Sequence, residues 1–267
     1  VKHESKNRPF LFTEIPQKFD KKPNRENKMT QEIQGFEAFA NTKRLIVIAA
    51  HPDDLETMCG GTIALLVQQG VEVFSCNCTL GDIGTHDPRY NRSSLAAKRL
   101  EETEAAAKIL GITQTFSLGR PDGELVADLA LRAEIARLYR LTQADTLLTF
   151  DPYWNGQIHP DHRAAAQAAL DAYMPSKMEL YRPEQLNEVG ADLGKIERVF
   201  LFGTERDPEM FVDITAVYPT KIEAAMAHVS QFPKGEEHLT WMKERDEKPG
   251  AKIGVKYAEP LKVMGVW

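Results

Sequence analysis

From residue 44 onward, short apolar runs alternate with segments of helical period, and this leaves few folds open. Apolar runs at 44–50, 71–79, 113–118, 145–150 and 198–202 are separated by helix patterns at about 55–69, 94–110, 128–142 and 161–173. Such an order predicts an α/β fold of Rossmann-like type, a mostly parallel sheet with helices on both faces. A short strand near 211–214 continues it, and helix patterns at about 219–230 and 236–245 close the chain. The stretch 174–197 has no clear period. The 267 residues are enough for a single large core. We assign 1–40, rich in Lys, Asn, Gln, Glu and Pro, to a surface-wrapped or partly disordered N-terminal extension. Phe10, Leu11, Phe12 and Ile15 are candidates to pin part of it down. Residues 41–267 form one domain.

Two of the apolar runs end in chemistry. Ala50-His51-Pro52-Asp53-Asp54 follows the first, and His159-Pro160-Asp161-His162 lies soon after Thr146-Leu147-Leu148-Thr149-Phe150. In open parallel sheets, ligands bind outside the carboxyl ends of the strands. Two histidine–carboxylate clusters brought to that edge can build one metal site. A catalytic zinc takes three protein ligands and keeps a position for water, and His51, Asp54 and His162 supply such a set. His51 and Asp54 are three residues apart at a strand-to-helix turn, where Pro52 fixes φ. Asp53, between them, is placed to take a proton from the metal-bound water, whose pKa coordination lowers toward about 7. Alone, either aspartate reads as a helix N-cap. Two His-Pro-Asp tripeptides at two strand ends are hard to assign to capping.

The motifs resemble those of the LmbE-like, or PIG-L, zinc-dependent de-N-acetylases, over about 44–232. The resemblance implies zinc on His51, Asp54 and His162, with ferrous iron the alternative in vivo. It implies Asp53 as general base and His159 as acid or oxyanion partner. Thr79-Leu80-Gly81-Asp82 falls where the family often has Gly-Glu. Arg99, with Glu102, Ala105-Ala106 and Leu110-Gly111, matches a family helix whose arginine contacts substrate. Leu118-Gly119-Arg120-Pro121-Asp122-Gly123 matches a loop whose aspartate reaches a sugar hydroxyl. Val212 to Thr215, Lys221 and His228-Val229-Ser230-Gln231 match the C-terminal signature. Arg99, Asp122 and His228 are therefore the candidate substrate-binding residues. Where some members carry a tyrosine before the second motif, this chain has Gln157 and Ile158, and an amide N–H of Gln157 is the candidate oxyanion donor.

The implied activity is hydrolysis of an N-acetyl, or other N-acyl, group from an N-acetylglucosamine-type sugar or its conjugate. A thiol conjugate or other non-sugar amide is the first alternative. A non-haem Fe(II) oxygenase shares the two-histidine, one-carboxylate set. That set commonly sits on a jelly roll with His-x-Asp spacing, whereas this chain has His-x-x-Asp on an alternating α/β pattern. An inactive binding protein is the third. A net charge of −6 argues against a nucleic-acid partner. No apolar stretch approaches the roughly 18 to 20 residues of a membrane span. Three cysteines make no disulfide framework. Cys76 and Cys78 share one face of a strand and read as small buried hydrophobes, which favours the reducing cytoplasm. Homo-oligomers are left open. Gly60-Gly61 is no dinucleotide fingerprint, because G-x-G-x-x-G is absent; it reads as a close contact between the first helix and the sheet.

Overall fold

A computed structural model describes residues 35–204 and 207–266. Five strands run parallel: β1 (Arg44–Ala49), β2 (Glu72–Thr79), β3 (Gln114–Arg120), β4 (Thr146–Phe150) and β5 (Arg198–Phe202). With β6 (Met210–Asp213) and β7 (Ala258–Met264) they form one sheet in the order β3-β2-β1-β4-β5-β7-β6. Leu45, Ile46, Val47, Ile48 and Ala49 of β1 are fully buried, as a central strand covered on both faces requires. No jelly roll is present among the described residues, so the architecture that would favour the oxygenase reading is not the one adopted.

The helices are α1 (Asp54–Gln68), α2 (Arg92–Leu110), α3 (Leu129–Thr142), α4 (Pro160–Asp171), the single turn α5 (Tyr173–Ser176), α6 (Tyr218–Met226) and α7 (Thr240–Ile253). Their ends follow local chemistry. Asn91 and Ser94 cap α2 reciprocally, at 3.0 and 2.9 Å. Gly111 ends that helix at φ 75°, a backbone glycine tolerates without strain. Asp128 caps α3 through the Leu131 amide at 2.7 Å.

The main departure from the sequence reading is β7. The chain closes on a strand, antiparallel to both β5 and β6, and this makes the sheet mixed. Its segment, Ala-Glu-Pro-Leu-Lys-Val-Met, holds a proline and two charged residues, so it lacks a strand signature. Glu259 is fully buried there because it accepts hydrogen bonds from the Gly61 and Thr62 amides at 2.9 and 2.7 Å. Those amides are free because α1 kinks at Cys59 (φ −141°, ψ 17°). Lys221 joins the same cluster, 2.7 Å from Glu259 and 2.6 Å from Asp246, with all three side chains excluded from solvent. This ion cluster ties α1 to α6, α7 and β7. Gly61 allows close approach: a Cβ there would lie 2.6 Å from Ile214, just past β6, in line with the packing role read from the sequence.

Residues 36–39, placed in the extension from sequence, form a 3-10 turn whose Phe39 is buried and stacked on Phe200 at 4.0 Å. Phe10, Leu11, Phe12 and Ile15 lie outside the described residues. Cys59, Cys76 and Cys78 are buried and unpaired. No described helix is long and apolar enough to cross a membrane.

Candidate metal centre

The sheet changes winding direction between β1 and β4, the neighbours from which the chain leaves toward opposite edges. A crevice opens at the carboxyl ends of two such strands. Both His-Pro-Asp motifs emerge there, one entering α1 and the other α4. Pro160 takes the first position of α4, where its missing N–H costs nothing. In the first motif, Asp54 folds back on the turn, and its Oδ2 accepts from the Ala50 and His51 amides at 3.1 and 2.7 Å. Asp53 adopts φ 96°, left-handed backbone that non-glycine residues rarely occupy. Its side chain makes no capping bond to α1, so capping does not account for it.

Asp54 stands between two imidazoles. Its Oδ2 is 3.4 Å from His51 Nδ1, and its Oδ1 is 3.3 Å from His162 Nε2. Two ligands about 2.0–2.1 Å from a tetrahedral ion lie about 3.3–3.4 Å apart. The spacing and chemistry of these donors therefore fit a divalent metal. His159 is close as well: nitrogens of His51, His159 and His162 lie within 4.8 Å of one another. The His159 ring, however, stacks nearly parallel on His162, at 4.5 Å and 17°. In-plane lone pairs on parallel rings converge poorly, which leaves His159 beside the donor set. Its Nδ1 is buried and unpartnered.

The far side of His51 is also engaged. Its Nε2 lies 3.0 Å from Asp122 Oδ1 and 3.2 Å from Asp161 Oδ2. Asp161, fully buried, accepts in addition from the Gly123 and Leu125 amides at 2.7 and 3.2 Å. One carboxylate thus fixes both His51 and the loop carrying Asp122. Sequence reading passed over Asp161, although it lies inside the second motif. Asp82 supports the same loop, accepting from the Asp122 amide at 2.9 Å while paired to Arg92 at 2.6 Å. Asp122, expected at a sugar hydroxyl, has one oxygen committed to His51 and is nearly buried.

Arg99 is neither a solvated helix residue nor a free guanidinium. It is 2% exposed, donates to Gly81 O at 3.0 Å and to Pro52 O, and pairs with Asp53 Oδ2 at 3.0 Å. Gly81 lets it pass, since a Cβ there would meet the guanidinium at 2.1 Å. His228 is fully buried, its Nε2 3.4 Å from Glu56, rather than at the crevice surface. The rest of its signature is anchored to α2 by Glu102, which accepts from Ser230 N and Oγ at 2.8 and 2.7 Å.

Electrostatics follow from this packing. Burial lifts the Asp53 carboxyl to about 6; Asp54 adds to the rise and the Arg99 charge opposes it. Burial works against charge on His51, but Asp54 and Asp122 prevail and push it up to about 11. Burial also works against Asp54, which the two imidazoles nevertheless hold well below the carboxylate range. His159 is lowered by burial and by its neighbours His162 and His51.

A mostly parallel α/β sheet with a His–Asp metal-type cluster at its switch point defines the class. Residues 46–173 match the family described as PIG-L: GlcNAc-PI de-N-acetylase. Diacetylchitobiose deacetylase of Thermococcus kodakarensis is 34% identical over 198 residues, covering 74% of this chain and 73% of that one. The solved structure of N,N'-diacetylchitobiose deacetylase from Pyrococcus horikoshii superposes with a TM-score of 0.81 at 29% identity, covering 92% and 95% of the two chains. A 4-oxalmesaconate hydratase of Pseudomonas putida is 28% identical over 206 residues, 74% of this chain and 75% of its own. The chain belongs to the PIG-L family.

Proposed function

We propose that the protein is a zinc-dependent hydrolase that removes the N-acetyl group from an N-acetylglucosamine-type amino sugar or its conjugate. The observation that carries this reading is Asp54 set between two imidazoles, its Oδ2 3.4 Å from His51 Nδ1 and its Oδ1 3.3 Å from His162 Nε2, with the neighbouring Asp53 in strained backbone. The two deacetylase relatives support the choice of amide and sugar. His51, Asp54 and His162 would hold the ion. When bound, the ion supplies a Lewis acid for the amide carbonyl and a nucleophile available near neutral pH.

Asp53 is the general base. In the metal-free protein burial raises its carboxyl to about 6, so it is ionised at neutral pH and remains a competent proton acceptor. Arg99 grips both the Pro52 carbonyl and the Asp53 carboxylate and so keeps the base in place. His159 has a ring nitrogen within 4.8 Å of those of His51 and His162, and its Nδ1 is unpartnered; it serves as the donor to the developing oxyanion. The proton on Asp53 or His159 then goes to the departing amine. Asp122, with one oxygen on His51, is the residue we propose to meet a sugar hydroxyl through its other oxygen. Three buried, unpaired cysteines support a reducing compartment, and we place the activity in the cytoplasm.

The test is amine release from N-acetylglucosamine, N,N'-diacetylchitobiose and thiol-conjugated or non-sugar amides, with metal content measured on the same sample. Release from the sugars by zinc-loaded protein is expected. Release from only the non-sugar amides would overturn the sugar assignment. A hydration activity with no amine release from any amide would overturn the reading altogether.

A further inference from the structure

Gln157 lies in the loop between β4 and α4, where the sequence suggested an oxyanion donor. The structure turns the amide the other way. Its Oε1 faces His162 Nδ1 at 3.1 Å, and the residue is 9% exposed. The backbone around it is pinned: Gln157 N donates to Trp154 O at 2.9 Å, and Gln157 O accepts from Arg163 Nη1 at 2.8 Å. Gly203, at φ 69°, borders the amide; a Cβ there would come within 3.2 Å of Phe150 and 3.6 Å of Gln157 Nε2. Phe150 in turn stacks on His162 at 4.0 Å and 12°, and His159 covers its other face. The imidazole is thus fixed in plane and position before any ion arrives.

What remains free is the tautomer. A neutral imidazole carries one N–H, and the two ring nitrogens of His162 face competing acceptors. Gln157 Oε1 lies at Nδ1, and Asp54 Oδ1 lies 3.3 Å from Nε2. A proton on Nε2 would satisfy Asp54 but block the lone pair aimed at the donor cluster. A proton on Nδ1 satisfies Gln157 and leaves Nε2 open.

We propose that Gln157 is a positioning residue: its amide oxygen holds the His162 proton on Nδ1 and presets Nε2 to capture a divalent cation. Ligand histidines generally donate their second N–H to such an acceptor, and loss of the acceptor typically costs 10- to 100-fold in metal affinity. The partner here is a neutral amide, whereas His51 answers to two carboxylates, Asp122 and Asp161. The two imidazoles are therefore held by acceptors of different charge.

The inference rests on His162 being a ligand, as proposed above, and the experiment separates the two. Zinc affinity is measured by chelator competition for the wild type, Gln157→Leu, Gln157→Glu and His162→Ala. The histidine tautomers of each metal-free protein are read by long-range nitrogen–proton NMR at a pH where His162 is neutral. Gln157→Leu is expected to weaken zinc by about 10- to 100-fold and to move the His162 proton toward Nε2. Gln157→Glu keeps an acceptor and is expected to bind at least as tightly as the wild type. If His162→Ala loses affinity while Gln157→Leu retains it and the Nδ1–H tautomer, the inference is wrong and the metal site stands. Should Gln157→Glu weaken zinc as much as Gln157→Leu, loop packing rather than the acceptor matters, and the inference again fails. Unchanged affinity in His162→Ala would remove the ligand assignment and this inference with it.

Discussion

Replacing Asp53 by Asn separates the two jobs that this residue could do. The left-handed backbone at φ 96° suits asparagine about as well as aspartate. The amide oxygen can still accept from Arg99, so the turn should keep its shape. The stability cost is the difference between a charge-assisted and a neutral hydrogen bond, about 1 kcal/mol. No cap is lost, since the Asp53 side chain makes no bond to the first turn of α1. His51, Asp54 and His162 are untouched, so zinc should remain. What disappears is a carboxylate with its pKa near 6 beside the donor cluster. General-base loss is worth roughly 10²- to 10⁴-fold, or about 2.7 to 5.4 kcal/mol of barrier at 1.36 per decade. We predict that zinc-loaded Asp53→Asn binds substrate with little change in KM and loses kcat by at least about 10². The assay is amine release under saturating zinc, with metal content and melting temperature taken on the same preparation. Turnover within about threefold of the wild type, against that expected loss, would refute Asp53 as the base.

His51→Ala and His162→Ala should each lose most bound metal while remaining folded by circular dichroism; full occupancy by elemental analysis in both would exclude them as ligands. Arg99→Leu removes the charge that holds the Asp53 carboxyl down, so in metal-free protein its titration, followed by carboxyl-carbon NMR, should move above about 6; no shift, or a downward one, would contradict the pairing. Lys221→Met strips the cation from Asp246 and Glu259 in a site closed to solvent. A loss of about 3 to 5 kcal/mol in urea unfolding is expected, and a loss under about 1 kcal/mol would show that Arg245, 3.0 Å from Asp246, suffices alone.

Local pattern was enough for much of this protein. Four of the five parallel strands are largely buried and read as apolar runs, β3 at the sheet edge is only partly covered, and α2 and α3 carry their own N-caps. Because parallel sheets gather strand ends at one edge, the two His-Pro-Asp motifs could be placed together from the sequence alone. Tertiary structure decided what depends on distant partners. His51 and Asp161 are 110 residues apart, and nothing local marks Asp161 as the residue that holds the ligand and the Asp122 loop at once. Arg99 has the helical spacing of a surface residue, yet it is drawn inward by carbonyls at Gly81 and Pro52 that only the folded turn presents. Glu259 and Lys221 are charged, yet each is buried because its counter-groups lie on other elements. For the same reason β7 escaped notice: its glutamate and proline break the strand pattern, and its place between β5 and β6 is set by antiparallel pairing across the sheet. Periodicity records which face a residue turns to the core, whereas the partner of a buried charge is fixed only when the chain has closed around it.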